Sequence, residues 1–192
     1  PVGMPAKEYL HIEDDYLIGV GLTPNRVDAA SHIGVARDLA AYLRAKGDAE
    51  ARVLWPDVSA FAVDDHALEI GVTVENAEAA PRYTGVTITG CKIGPSPDWM
   101  QNALRAAGIH PKNNLVDITN FVLFELGQPL HAFDAAKIEG REVVVRTCAE
   151  GTPFVTLDGV ERKLTADDLM ICSAERPMCI AGVFGGLDSG IG

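Results

Sequence analysis

Positive charge is scarce in this chain. Sixteen Lys and Arg stand against 27 Asp and Glu, a formal net charge of −11 over 192 residues. A broad grip on a nucleic-acid backbone needs clustered cations, and no basic stripe is present. That leaves room only for a site that admits the tip of a nucleic acid. No apolar run approaches the length of a membrane-spanning helix. No basic, apolar, small-residue leader opens the sequence, and PVGMPAKEYL reads as the interior of a longer protein. The four cysteines, Cys91, Cys148, Cys172 and Cys179, include no CxxC pair and no His-rich partner. They read as buried or free thiols in a reducing cytoplasm, with no metal expected. No serine sits in a GxSxG elbow and no cysteine has an obvious histidine partner, which argues against a nucleophilic hydrolase. There is no P-loop, and GVFGG (182–186) lacks the spacing and the following helix of a dinucleotide fingerprint.

What is present suffices for a core: 47% of the residues are hydrophobic. Tyr16 to Leu22 reads as a short strand. Thr23-Pro24-Asn25-Arg26 turns it into a helix from about Asp28 to Lys46, with Ile33, Val35, Leu39 and Leu43 as apolar positions and Gly47 as its end. His32 reads as a surface or interface histidine, and Arg37 and Asp38 as solvated. Residues 48–65 look like a linker. Alternation predicts strands over 66–76 and 83–92, the second with Val86, Ile88 and Cys91 as core candidates. Ser96-Pro97-Asp98 predicts a capped helix start running to Ala107. Beyond residue 134 strands are predicted at 142–147, 154–157, 160–164, 169–172 and 178–183, with Asp158-Gly159 as a type I′ hairpin signal. These elements predict an α+β fold: a short helical N-terminal module, then a β-sandwich-like domain with helices packed at one side.

The stretch NNLVDITNFVLFELGQPLHAFD (113–134) organises the rest. It reads as a buried helix, with Val116, Leu123 and Leu126 on one side and Ile118, Phe121, Val122 and Phe124 widening the apolar surface. Gly127 ends it and Pro129 prevents its resuming. Thr119 and Asn120 lie inside the apolar run and His131 just past its end. Buried polar groups need partners, so this pattern builds either a structural network or a site. Any chemistry at His131 would orient or deprotonate water. Asp117 and Asp134 bracket the stretch as a fold-supporting acid and a turn acid. The glycines of the tail, AGVFGGLDSGIG, serve either a tight turn or the close approach of a ligand.

Taken together, TPNRVDAASHIGVARDLA (23–40), PRYTGVTITG (81–90), NNLVDITNFVLFELGQPLHAFD (113–134), TLDGVERKLTADDLMI (156–171) and IAGVFGG (180–186) resemble the β subunit of bacterial phenylalanyl-tRNA synthetase, in order and over nearly the whole chain. The resemblance implies a partial B1-like module at 1–52 and a B3/B4 editing domain at 53–192, incomplete at its C-terminal end. It implies hydrolysis of tyrosine mischarged on tRNA(Phe), with a non-catalytic tRNA-binding or structural module as the alternative. A second sieve makes physical sense, because an apolar pocket rejects an added hydroxyl only about a hundredfold. By the same resemblance His131 is the catalytic residue. Thr119, Asn120, Gln128, Pro129, Gly182 and Gly185 contact substrate, Gln128 and Pro129 by shaping the turn that presents His131. A water held by His131 attacks the ester, assisted by the free hydroxyl of the terminal adenosine. The family's glutamate that reads the tyrosine hydroxyl lies beyond the AGVFGG run and beyond Gly192, and Asp188 is not given that role. The implied partners are the α subunit, in a heterotetramer of two α and two β chains, and the aminoacylated 3′ end of tRNA(Phe). ATP and magnesium serve the whole ligase, with no cofactor in this domain, and the setting is cytoplasmic.

Overall fold

The computed structural model describes residues 2–9 and 14–191. Pro1, Leu10 and Gly192, which belong to the opening and closing stretches discussed above, lie outside the described residues. The helices are α1 (Ala6–Tyr9), α2 (His32–Ala45), α3 (Asp98–Ala106) and α4 (Asn114–Leu126). The strands are β1 (Gly71–Val74), β2 (Glu142–Thr147), β3 (Pro153–Val155), β4 (Glu161–Lys163), β5 (Leu169–Cys172), β6 (Pro177–Ile180) and β7 (Phe184–Gly185). The α+β expectation is met by a mixed five-stranded sheet in the order β1-β2-β5-β6-β7 and a separate β3–β4 hairpin. Among the described residues only β1 and β2 run parallel, and their crossover carries α3 and α4.

Alternation along β2 and β5 gives the sheet two apolar faces. Val143 and Ile171 join Ile138, Met178 and Cys179 on one face, with Tyr83 and Phe133 packed against them. Val144, Met170 and Cys172 face the hairpin's Phe154 and Leu164 on the other. This second face is the sandwich-like part. The edge strand β7 is not left open: the Leu157 amide donates to Gly185 O (3.0 Å) and the Leu187 amide to Val155 O (3.0 Å), so the tail stitches the sheet to the hairpin.

The helices pack chiefly on one another, α4 lying against both α2 and α3. Asn113 caps α4 by accepting from the Val116 amide (3.0 Å), and Gly127 ends it in the left-handed conformation at φ 76. Trp99 and Phe121 meet edge to face at 5.3 Å, joining α3 to α4.

Several local expectations give way. Residues 16–22 and 83–92 form no strand, and Tyr16, Ile18, Val86 and Ile88 are exposed. Alternation supplies a face, but a strand also needs a ladder neighbour, and among the described residues none pairs with either segment. The 28–46 helix is interrupted: a 3-10 turn at Val27–Ala29 precedes Ser31, whose hydroxyl accepts from the Gly34 amide (3.0 Å) to start α2. Gly34 and Ala40 are buried there, while Leu39 faces out; a Cβ at Gly34 would lie 2.5 Å from Asp28 O, so the helix meets the preceding turn at a residue without a side chain. Helix α4 is half-buried rather than enclosed, with Ile118 and Phe124 exposed. Ser96 does not cap α3; its hydroxyl goes to Asp117. The 156–160 turn is not type I′, since among its residues only Gly159 has positive φ (76). The Gly159 amide donates to Thr156 O and the Thr156 amide to Val160 O, a three-residue loop of type I turn plus glycine bulge.

Candidate functional site

His131 and Gly185 meet. A Cβ built on Gly185 would stand 2.6 Å from His131 Cε1 and 3.2 Å from Nε2. Backbone freedom is not the reason for glycine, because φ at Gly185 is not positive. The reason is space: the imidazole edge lies where any side chain would be. The same Cβ would stand 3.0 Å from Leu157 Cδ1, so the hairpin tip closes on this spot from another side. Phe133 packs its ring on His131, centroids 4.4 Å apart and planes tilted by 57°.

His131 keeps part of its surface exposed, and its covered side loses enough water to lower its pKa below the ordinary histidine value. Among the described residues neither ring nitrogen has a hydrogen-bond partner in the protein. The imidazole is therefore neutral at pH 7 and has a nitrogen lone pair available to water.

The other residues singled out in the sequence fall elsewhere. Gly182 is the third residue of the Ile180–Val183 turn between β6 and β7, with φ +70 and nothing within 4 Å of a built Cβ. Its glycine answers a type II turn rather than a wall. The Thr119 hydroxyl donates back to Val116 O (2.7 Å) within α4, and the Asn120 side chain makes no hydrogen bond among the described residues. Gln128 and Pro129 form the exposed turn after α4. That turn leads directly into Leu130 and His131.

Two features were missed. Leu157 borders the spot where His131 meets Gly185, and its only sequence signal is its place before Asp158-Gly159 at a hairpin tip. Gly186 is the second: its Cβ would lie 2.7 Å from Met178 O and 2.9 Å from Phe154 Cζ, so it seals the sheet on the hairpin core. Asp117 proves structural, being 1% exposed and accepting from Ser96 Oγ (2.6 Å) and the Lys112 amide (2.8 Å).

Two open clefts lie away from His131. One, about 290 Å³, is bordered by Phe154, Arg176, Met178, Leu187 and Asp188. The other, about 410 Å³, lies among His32, Trp55 and Glu125. Among the described residues no three His, Cys, Asp or Glu side chains converge to hold a metal.

Residues 79–192 match the B3/4 domain family. The chain is 60% identical over 188 residues to the phenylalanine–tRNA ligase β subunit of Bacteroides fragilis, covering 98% of this chain and 23% of that protein. Against the same subunit of Porphyromonas gingivalis it is 60% identical over 192 residues, 100% of this chain and 23% of the relative. With the Bacillus subtilis subunit the identity is 49% over 177 residues, 92% and 21%. The chain thus spans about a quarter of the length of these relatives. With the match to the family covering 79–192 and these relatives aligned along nearly its full length, this chain belongs to the B3/4 domain family, in the form found in phenylalanine–tRNA ligase β subunits.

Proposed function

We propose that this domain hydrolyses tyrosine misattached to tRNA(Phe), as the editing unit of a phenylalanine–tRNA ligase β subunit. The observation that carries the reading is the imidazole edge of His131 lying against a residue with no side chain, Gly185, with both ring nitrogens free of protein partners among the described residues. A neutral imidazole there accepts a proton from water as the water oxygen attacks the aminoacyl carbonyl. The bond from that carbonyl to the ribose oxygen then breaks, and the proton passes to the departing oxygen. Gly185 leaves space for the imidazole itself, which stands there with its edge against the backbone. Gln128 and Pro129 set the path of the chain into His131. Thr119 and Asn120 contact substrate only if the tRNA end reaches the α4 surface, and Gly182 only through its exposed backbone.

The parent assembly is read the same way. An α subunit, ATP and magnesium belong to aminoacylation, which lies outside this chain, and the setting is the cytoplasm. With a net charge of −11 the domain itself holds only the charged 3′ end, and the tRNA body is bound elsewhere. The runner-up reading, a non-catalytic module, draws on the exposed apolar residues Tyr16, Ile18, Trp55, Phe61, Val86 and Ile88, which suit docking to other parts of a larger subunit. Deacylation of Tyr-tRNA(Phe) and Phe-tRNA(Phe) by the β-containing enzyme separates the two. Loss of Tyr-tRNA(Phe) clearance in His131→Ala, with aminoacylation retained, supports editing; equal clearance by wild type and variant removes His131 from the chemistry.

A further inference from the structure

Catalytic histidines are ordinarily oriented through their second nitrogen, by a carboxylate or a backbone carbonyl. His131 has no such tether among the described residues, yet its ring sits close against Gly185. Something else must fix it. We propose that Phe133 is the positioning residue for His131, setting the imidazole by aromatic packing in place of a hydrogen bond. The inference rests on the reading of His131 as the water-activating group.

Phe133 is itself held. Its ring packs on the cluster of Ile138, Val143, Ile171, Met178 and Cys179, which anchors it to the sheet. Its backbone bridges Gly190, and Lys137 Nζ donates to the Gly190 carbonyl (2.9 Å), closing the segment on the tail. No strand runs through 131–132, and it is the packing of the two rings themselves that brings His131 and Phe133 together. With centroids 4.4 Å apart and planes tilted by 57°, the Phe133 ring limits the imidazole on one side, and the Gly185 backbone limits it on another. A flexible aliphatic side chain at 133 fills similar volume but offers no flat surface, so the ring would turn.

The test uses the chain with isotopically labelled histidine, and reads NOEs from the His131 ring protons to Gly185 Hα. Wild type and Phe133→Tyr are expected to show them; Phe133→Leu is expected to lose them while the backbone amide spectrum stays native. Phe133→Met, closer in bulk, replaces the leucine variant if that one fails to fold. In Tyr-tRNA(Phe) deacylation by the β-containing enzyme, the aliphatic variants should lose about tenfold in kcat with KM nearly unchanged, the size expected of a modest misplacement. A persistent His131–Gly185 NOE in a folded Leu or Met variant overturns the proposal. Lost NOEs with an unaltered kcat uphold the positioning of the ring and sink the catalytic reading of His131 instead.

Discussion

Gly185→Ala puts the smallest possible side chain into the space that His131 occupies. The added Cβ would lie 2.6 Å from Cε1, where ordinary contact begins near 3.4 Å, so the ring must retreat by roughly 1 Å, a misplacement able to cost about a hundredfold in rate. Leu157 Cδ1, at 3.0 Å, is the end of a flexible side chain and turns aside easily. The backbone at 185 needs no change, so overpacking is the only stability term, about 1–3 kcal/mol. For a chain of this size that lowers Tm by roughly 2–4 °C per kcal/mol. Two neighbouring glycines separate site from fold. Gly186→Ala drives its Cβ into Met178 O at 2.7 Å and Phe154 Cζ at 2.9 Å, so it should destabilise the fold at least as much without touching the imidazole. Gly182→Ala strains a φ of +70 in open space, at about 1 kcal/mol, and should leave the rate within a factor of two. The assay is single-turnover deacylation of Tyr-tRNA(Phe) beside thermal unfolding of each variant. A Gly185→Ala enzyme with a native rate, or a Gly182→Ala enzyme as slow as it, would refute the reasoning.

Because burial lowers the pKa of His131, deacylation should fall as pH drops through a midpoint below the ordinary value of 6.5 and stay flat above it. The linkage has the same sign. The unfolded chain takes up the proton first as pH falls, so the contribution of this group to stability is full above 6.5 and is lost toward the lowered folded value; chemical denaturation of wild type and His131→Leu across that window checks it. Asp117→Ala removes the acceptor for Ser96 Oγ and the Lys112 amide in a buried position, and calorimetry should register a loss of about 1–3 kcal/mol with unaltered deacylation kinetics. Asn113→Ala, which removes the α4 cap, should cost about 1 kcal/mol by denaturant titration. The isolated chain should bind uncharged tRNA weakly at physiological salt, and tight binding in a filter assay would contradict the charge argument.

The parts legible in the sequence were those set by local chemistry. Strand β2 coincides with its apolar run EVVVRT and β5 with LMIC, because a strand buried on both faces shows itself as continuous hydrophobicity. The end of α4 at Gly127 was legible for a similar reason, since the left-handed conformation has few occupants other than glycine. What stayed hidden depended on partners distant in sequence. That 16–22 and 83–92 find no ladder neighbour among the described residues cannot be read from their apolar pattern alone, and the binding of Ser96 to Asp117, 21 residues on, overrode a plausible cap. In the site, His131 approaches Gly185, while Gly182 stands in open space. The distinction between Gly182 and Gly185 was invisible, because a turn glycine and a glycine that yields space to a ring are the same letter.

The most direct measurement is a structure with a non-hydrolysable tyrosyl-adenosine analogue bound. The account predicts the analogue's carbonyl carbon one water away from an imidazole nitrogen of His131, with the ligand passing over Gly185. An analogue seated instead in the cleft between Phe154 and Leu187, with His131 untouched, would contradict it.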